Sequence, residues 1–107
     1  MKPINYRNAT FETIQAHITG QRMRVYDGYR IHGPCTTREL SNFLQMSILS
    51  VRPRTTELVE LDLVICIAGK DPREGFYMVR TEAEARDIFE NKKREAIHYE
   101  QGQLNLR

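Results

Sequence analysis

The chain has 107 residues, 40% apolar and 28% charged, enough for one domain with a core of moderate size and too few for two. Sixteen Lys and Arg against 14 Asp and Glu leave a net charge of +2, so the bulk field is too weak to hold a polyanion and locally placed charge would have to do so. No apolar run reaches about 18 residues and the stretch from Met1 to Tyr6 has no secretory character, which predicts a cytosolic protein without a membrane partner. Cys35 and Cys66 are far apart and form no Cys-x-x-Cys pair. His17, His32 and His98 are scattered, so the reading includes neither a disulfide framework nor a metal site.

Residues 1–9 are polar and aperiodic, the pattern of a flexible N-terminal arm. Order is expected from Thr10, and residues 10–97 form the domain. Phe11, Ile14 and Ile18 predict a short amphipathic helix, broken at Gly20 before a second helix from Gln21 to about His32 with Val25 and Tyr29 inward. Gly33-Pro34 ends that helix, glycine supplying the left-handed turn and proline being unable to continue the ladder. Thr36-Thr37-Arg38-Glu39 then has the spacing of a capping box, and Leu40, Phe43 and Leu44 form the stripe of a short helix ending near Gln45.

Met46 is expected to plug the core within a tight turn. The next helix has Val51, Thr55, Leu58 and Leu61 inward. Its cap is either Ser47 or Ser50; Ser50 is favoured, because it puts Pro53 in the first turn, where a missing amide costs little. Val64 to Ala68 and Phe76 to Arg80 read as two strands of a hairpin around a Gly/Pro loop, with Cys66 as core. A last helix is predicted from Glu82 to about Ile97, and residues 98–107 as a flexible tail too poor in apolar residues to order itself.

The fold class is therefore mainly α with a small β-hairpin (α+β), in the element order of a winged helix-turn-helix with additional N- and C-terminal helices. Gly33-Pro34-Cys35-Thr36-Thr37-Arg38-Glu39-Leu40 resembles the entry to the second helix of bacterial and phage winged-helix DNA-binding domains of the MarR-like type, where Gly-Pro-x-Thr-x-x-Glu-Leu recurs. Ser50 to Leu58, closing with Leu61-Asp62-Leu63-Val64, is similar to their recognition helix and its run into the first wing strand; the likeness covers about residues 21–81. Two positions depart from it, Gln45 and Asp62 standing where glycine is frequent; both can occupy turn conformations at a cost of about 1 kcal/mol, and Asp tolerates the left-handed one better than most residues.

The resemblance implies double-stranded DNA as partner, with the third helix in the major groove and the wing on the backbone or minor groove. Projection around Val51 turns Leu49, Ser50, Pro53, Thr56, Glu57 and Glu60 outward, with Arg52 and Arg54 on the flanks. The expected DNA-binding residues are Thr37 and Arg38 at the start of the second helix, Ser50, Arg52, Arg54 and Thr56 on the third, and Lys70 and Arg73 on the wing. A plainer reading stands beside this one. Two arginines against two glutamates make the third helix neutral, and Arg52 or Arg54 can be taken up by Glu57 or Glu60 in solvent.

Tyr26, Tyr29 and Phe43 are assigned to the core rather than to base stacking. Phe11, Ile14, Ile18, Ile88 and Phe89 exceed what a lone winged helix buries; they either fold back on the domain or pair across a two-fold axis as a homodimer, the favoured use. No catalytic constellation and no cofactor are implied. The leading function is a small transcriptional regulator of sequence-specific DNA binding. The alternatives are a winged-helix protein-interaction module and, more remotely, a thiol sensor at Cys35.

Overall fold

The computed structural model describes residues 5–16, 18–67 and 74–105, with side chains as far as His98. Among the described residues, five helices and three strands follow in the order α1 (Phe11–Ala16), α2 (Gly20–His32), β1 (Cys35–Thr36), α3 (Thr37–Leu44), α4 (Ile48–Glu60), β2 (Val64–Ile67), β3 (Phe76–Val79) and α5 (Glu82–Asn105). The strands form one antiparallel sheet in the order β1-β3-β2. The hairpin was expected; β1 was not, since two residues carry no alternation for a periodic reading to find. Cys35 lies opposite Tyr77 and Thr36 opposite Phe76.

Helices α2, α3 and α4 enclose the core. Val25, Tyr29, Leu40, Val51 and Leu58 are fully buried, and Leu61, Leu63 and Val64 extend the core toward the sheet. One buried polar pair ties α2 to α4, the Tyr29 hydroxyl lying 2.9 Å from Thr55 Oγ1. Thr55 has a single proton and gives it to the Val51 carbonyl at 3.0 Å, so Tyr29 is the donor between the two hydroxyls. Burial pushes the Tyr29 phenol far above its ordinary range, which keeps that donor in place.

Helix ends follow local chemistry. Gly33, at φ 76°, closes α2 and donates to the Tyr29 carbonyl. Helices α3 and α4 both end in the paired bonds of a Schellman motif: Met46 N to Ser41 O with Gln45 N to Asn42 O, and Leu63 N to Leu58 O with Asp62 N to Val59 O. Gln45 and Asp62 take the left-handed residue of each motif at φ 51° and 62°, as their positions require.

Three expectations are corrected. Ser47, not Ser50, caps α4: its Oγ accepts from Leu49 N at 3.2 Å and its carbonyl accepts from Ser50 and Val51. Pro53 then lies inside the helix and deprives only the Leu49 carbonyl of a donor, at a residue open enough for water to replace it. At the N-terminus, Asn5 to Ala9 is turned by bonds from Asn8 N and Ala9 N to Asn5 O, and Tyr6 packs on Phe89 at 5.7 Å between ring centroids. Helix α5, capped by Thr81 Oγ1 accepting from Glu84 N, runs on to Asn105 rather than ending near Ile97. Once α5 is nucleated, propagating it needs only one further backbone bond per residue, which a reading from apolar periodicity does not register.

Phe11, Ile14, Ile18 and Phe89 are buried within the single chain, the first of the two uses left open for them, and Ile88 is half-buried. Phe11 and Phe89 stand 6.1 Å apart, with the Arg86 guanidinium 4.6 Å over the Phe11 ring. These residues therefore fasten α1 to α5 and leave little apolar area for a second copy.

Close approach of α2 and α3 depends on Gly28, where a Cβ would come within 2.8 Å of Leu40 Cδ1 and 3.0 Å of Leu44 Cδ1. Gly28→Val is expected to lower the unfolding free energy by about 1–3 kcal/mol through overpacking, read as a fall in the urea midpoint at unchanged slope.

Candidate nucleic-acid interface

The capping box at the start of α3 is formed in both directions: Glu39 N donates to Thr36 Oγ1 at 3.0 Å and Thr36 N donates to Glu39 Oε1 at 3.1 Å. Because Thr36 also pairs with β3, the first turn of α3 is held against the wing sheet. Thr37 is half-buried there, and the exposed Arg38 reaches across to the wing, its Nε 3.0 Å from Glu74 Oε1. The expected phosphate-facing cation of α3 is thus partly neutralised by the wing.

On α4, Leu49, Arg52, Pro53, Thr56 and Glu60 are exposed, as the projection requires, while Ser50 is half-buried. Arg52 makes no ion pair among the described residues. Its positive charge lies near Tyr77 of β3, whose phenol is pushed above its ordinary value by burial and by Cys66, with Arg52 opposing. The Thr56 hydroxyl is turned onto its own helix and donates to the Arg52 carbonyl at 3.1 Å.

Glu57 is not outward. Only 16% exposed, it receives Arg22 Nε from α2 at 2.7 Å and Arg54 Nη2 from its own helix at 2.9 Å. Arg54 is 33% exposed, and its Nε is buried without a hydrogen-bond partner. Of the two flanking arginines, the plainer reading therefore describes Arg54, whereas Arg52 is left available. The i, i+3 spacing of Arg54 and Glu57 was visible in the sequence. Arg22 came from 35 residues away and had no local signal. Arg24 was also missed as part of this face; it is exposed, without a carboxylate partner among the described residues, and donates to the Leu44 carbonyl at 2.6 Å beside the turn into α4.

Lys70 and Arg73, the expected wing contacts, lie outside the described residues, as does Ala68 at the predicted end of the first wing strand. Among the aromatics, Tyr29 is core and Tyr26 packs against it, but Phe43 is 51% exposed and stacks on His32 at 4.3 Å, with 10° between the rings. Leu40 and Leu44 already fill the α2–α3 contact closed by Gly28, leaving Phe43 at the rim. A cleft of about 550 Å³ opens between α1, α2, the foot of the wing and α5, lined among others by Phe11, Ile18, Met23, Tyr26 and Arg80. None of its lining residues belongs to α3 or α4. Among the described residues no cluster of His, Cys, Asp or Glu could hold a metal, and no helix is long and apolar enough to cross a membrane.

Comparison with solved structures identifies the architecture as the winged helix of the MarR type. The chain matches RV1404 from Mycobacterium tuberculosis with a TM-score of 0.58 at 18% identity, over 86% of this chain and 61% of that one. It matches a mutant MarR from E. coli, complexed with operator DNA, with a TM-score of 0.57 at 19% identity over 75% and 59%. For the transcriptional regulator Tm0710 from Thermotoga maritima the values are 0.56, 19%, 87% and 66%. The chain thus spans about three fifths of the length of the first two. No protein-family model and no curated protein matches the sequence.

The two thiols differ in a way that bears on the sensor reading. Cys35 is buried on β1, and burial, aided by the nearby Glu39 charge, pushes its pKa up to about 11. Cys66 is exposed, a correction to its assignment as core: it shares a face of β2 with the buried Val64, but burial falls off along the strand away from the helices, so only Val64 is covered. At neutral pH one thiol per native chain should react promptly with a disulfide reagent, and the second only on unfolding; rapid reaction of both would restore Cys35 as a sensor. The raised pKa also fixes a pH window. Between the ordinary value of 9.0 and about 11 the unfolded chain releases the Cys35 proton while the fold retains it, so this contribution is complete below pH 9 and is lost as pH rises through 11. Cys35→Ala should accordingly show a shallower decline in melting temperature across that window than the parent.

Proposed function

We propose that the chain is a small cytoplasmic transcriptional regulator that binds double-stranded DNA sequence-specifically, with α4 in the major groove and the β2–β3 wing on the flanking backbone or minor groove. The observation that carries this reading is Arg52, exposed on the outward face of α4 and free of ion pairs among the described residues. It stands in a fold that, in the MarR mutant, is seen with operator DNA. Arg52 is the residue for a guanine edge, since a guanidinium meets O6 and N7 in a bidentate pair. Thr37 and Arg38 are assigned to phosphate, Ser50 and Thr56 to phosphate or base, and Lys70 and Arg73 to the backbone beside the wing. Arg54 acts from the flank through its pair with Glu57.

No catalytic step or cofactor enters this reading. A homodimer is part of the proposal, because two recognition helices about 34 Å apart would meet one face of the duplex. With Phe11, Ile14, Ile18 and Phe89 covered, the pairing surface falls to Ile88 and the stretch of α5 beyond it, where Ala96 and Ile97 are partly exposed.

Selection from a pool of random duplexes at two salt concentrations tests the reading. A recovered motif supports it, and two inverted half-sites one helical turn apart support the dimer; salt-sensitive retention without a motif removes the sequence specificity. Absence of binding near physiological salt would favour the protein-interaction module, to which the exposed Leu49 and Phe43 would then belong. On the selected site, Arg52→Ala should cost about 1–3 kcal/mol and relax the preference at one position. Arg54→Ala should cost less, since its charge is already held by Glu57. Lys70→Ala and Arg73→Ala should weaken all sequences alike and lower the salt slope by about one each.

A further inference from the structure

Leu49 is 78% exposed, the most open of the large apolar side chains among the described residues. It sits at the second position of α4, and Pro53, one turn on, is exposed along the same side. A single exposed leucine on a protein surface needs no explanation. Here, though, two apolar side chains run along the edge of the helix face that the proposed function turns toward a base-pair groove.

The polar chemistry of that face is sparse. Glu57 is drawn inward by Arg22 and Arg54, so its carboxylate is not offered to a cytosine amino group. Arg54 is held by Glu57, and Thr56 gives its proton to the Arg52 carbonyl. What remains along Leu49, Arg52 and Pro53 is one guanidinium beside an apolar strip, the exposed Glu60 lying two turns beyond Pro53 at the far end of the helix. In the major groove the thymine C5-methyl is the apolar feature of a base edge, and guanine offers the acceptor pair that a guanidinium fits. The charge around the strip suits a duplex as its occupant: Arg52 and Arg24, both exposed, are without carboxylate partners among the described residues. Residues four apart are separated by about 6 Å along a helix, roughly two base steps.

Resting on the DNA-binding reading, we infer that Leu49 and Pro53 are specificity residues that read thymine methyl groups beside a guanine contacted by Arg52. The half-site is accordingly thymine-rich next to that guanine, and discrimination between thymine and cytosine comes from the methyl rather than from a hydrogen bond.

The test removes the methyl from the DNA and leaves the protein untouched. In the duplex recovered by selection, each thymine is replaced singly by deoxyuridine, which keeps the Watson–Crick pairing and lacks only C5-methyl, and affinity is measured for the parent chain and for Leu49→Ala. The expected result is a loss of about fourfold at one or two positions per half-site, the size associated with one buried methyl. The loss at the Leu49 position should vanish in Leu49→Ala and persist in Pro53→Ala. Equal binding of every deoxyuridine duplex by the parent, or a methyl effect unchanged in both variants, would overturn the inference while leaving DNA binding intact. Failure of the parent to bind any duplex would appear earlier, in the selection itself, and would overturn the reading on which the inference rests.

Discussion

Thr36 belongs to two elements at once, and the relation between helices and wing depends on it. Its backbone pairs with Phe76 of β3, while its amide and hydroxyl complete the capping box with Glu39. A cap alone would start α3 without saying where the wing lies; a strand pair alone would place the wing without orienting the helix. Joined in one residue, they fix the start of α3 against the sheet, and Arg38 to Glu74 adds a second link across the same junction. The short Gly33-Pro34 connection brings the chain there directly from the end of α2, because Gly33 accepts the left-handed conformation that reverses it.

Within this frame, ion pairing sorts the arginines. A protein of net charge +2 cannot act on a polyanion through its overall field, so what matters is which cations are already engaged. Glu57 takes two of them, Arg22 and Arg54, in a half-buried cluster where release of either would strand charge in a poorly solvated place. Arg52, two residues from Arg54, turns outward and escapes. The same helix therefore holds a structural cation and an available one, and their difference lies in the 3.6-residue period rather than in residue type.

Much of this was legible in the sequence because it is local. The inward stripes of α2 and α4, the glycine stop at Gly33, the capping box, the turn at Gln45 and the left-handed role of Asp62 are set by residues within a few positions of one another. The features missed are those in which distant parts decide. Arg22 reaches Glu57 across 35 positions, β1 exists only because β3 is beside it, and Phe43 is pushed outward because Leu40 and Leu44 already fill the gap against Gly28. The choice between Ser47 and Ser50 failed for a different reason. A rule about proline position was weighed against a cap, whereas the helix tolerates Pro53 where it removes a single backbone bond at a largely exposed residue, Leu49. The exposed face of α4 was legible to within Ser50 and Glu57; which arginine on it was engaged was not.

Asp62 shows how a departure from the expected pattern can serve another contact. The left-handed position closing α4 costs a non-glycine residue about 1 kcal/mol, and glycine would avoid that cost. Glycine, however, has no carboxylate, and Asp62 uses its own to bind Lys92 of α5. The hydrogen bond to Asp62 holds the Lys92 ammonium above its ordinary pKa, and that ammonium also lies 5.7 Å from the centre of the Tyr6 ring. The end of α4 is thereby fastened to the middle of α5, where Lys93 binds the Ala9 carbonyl at 2.9 Å and Phe89 packs on Phe11. Strain at one backbone position is exchanged for a fixed angle between two helices, the one that faces the proposed groove and the one that would pair with a second copy. A dimer built through α5 would then carry its two α4 helices at a separation set by the fold of each chain, not by the flexibility of a linker.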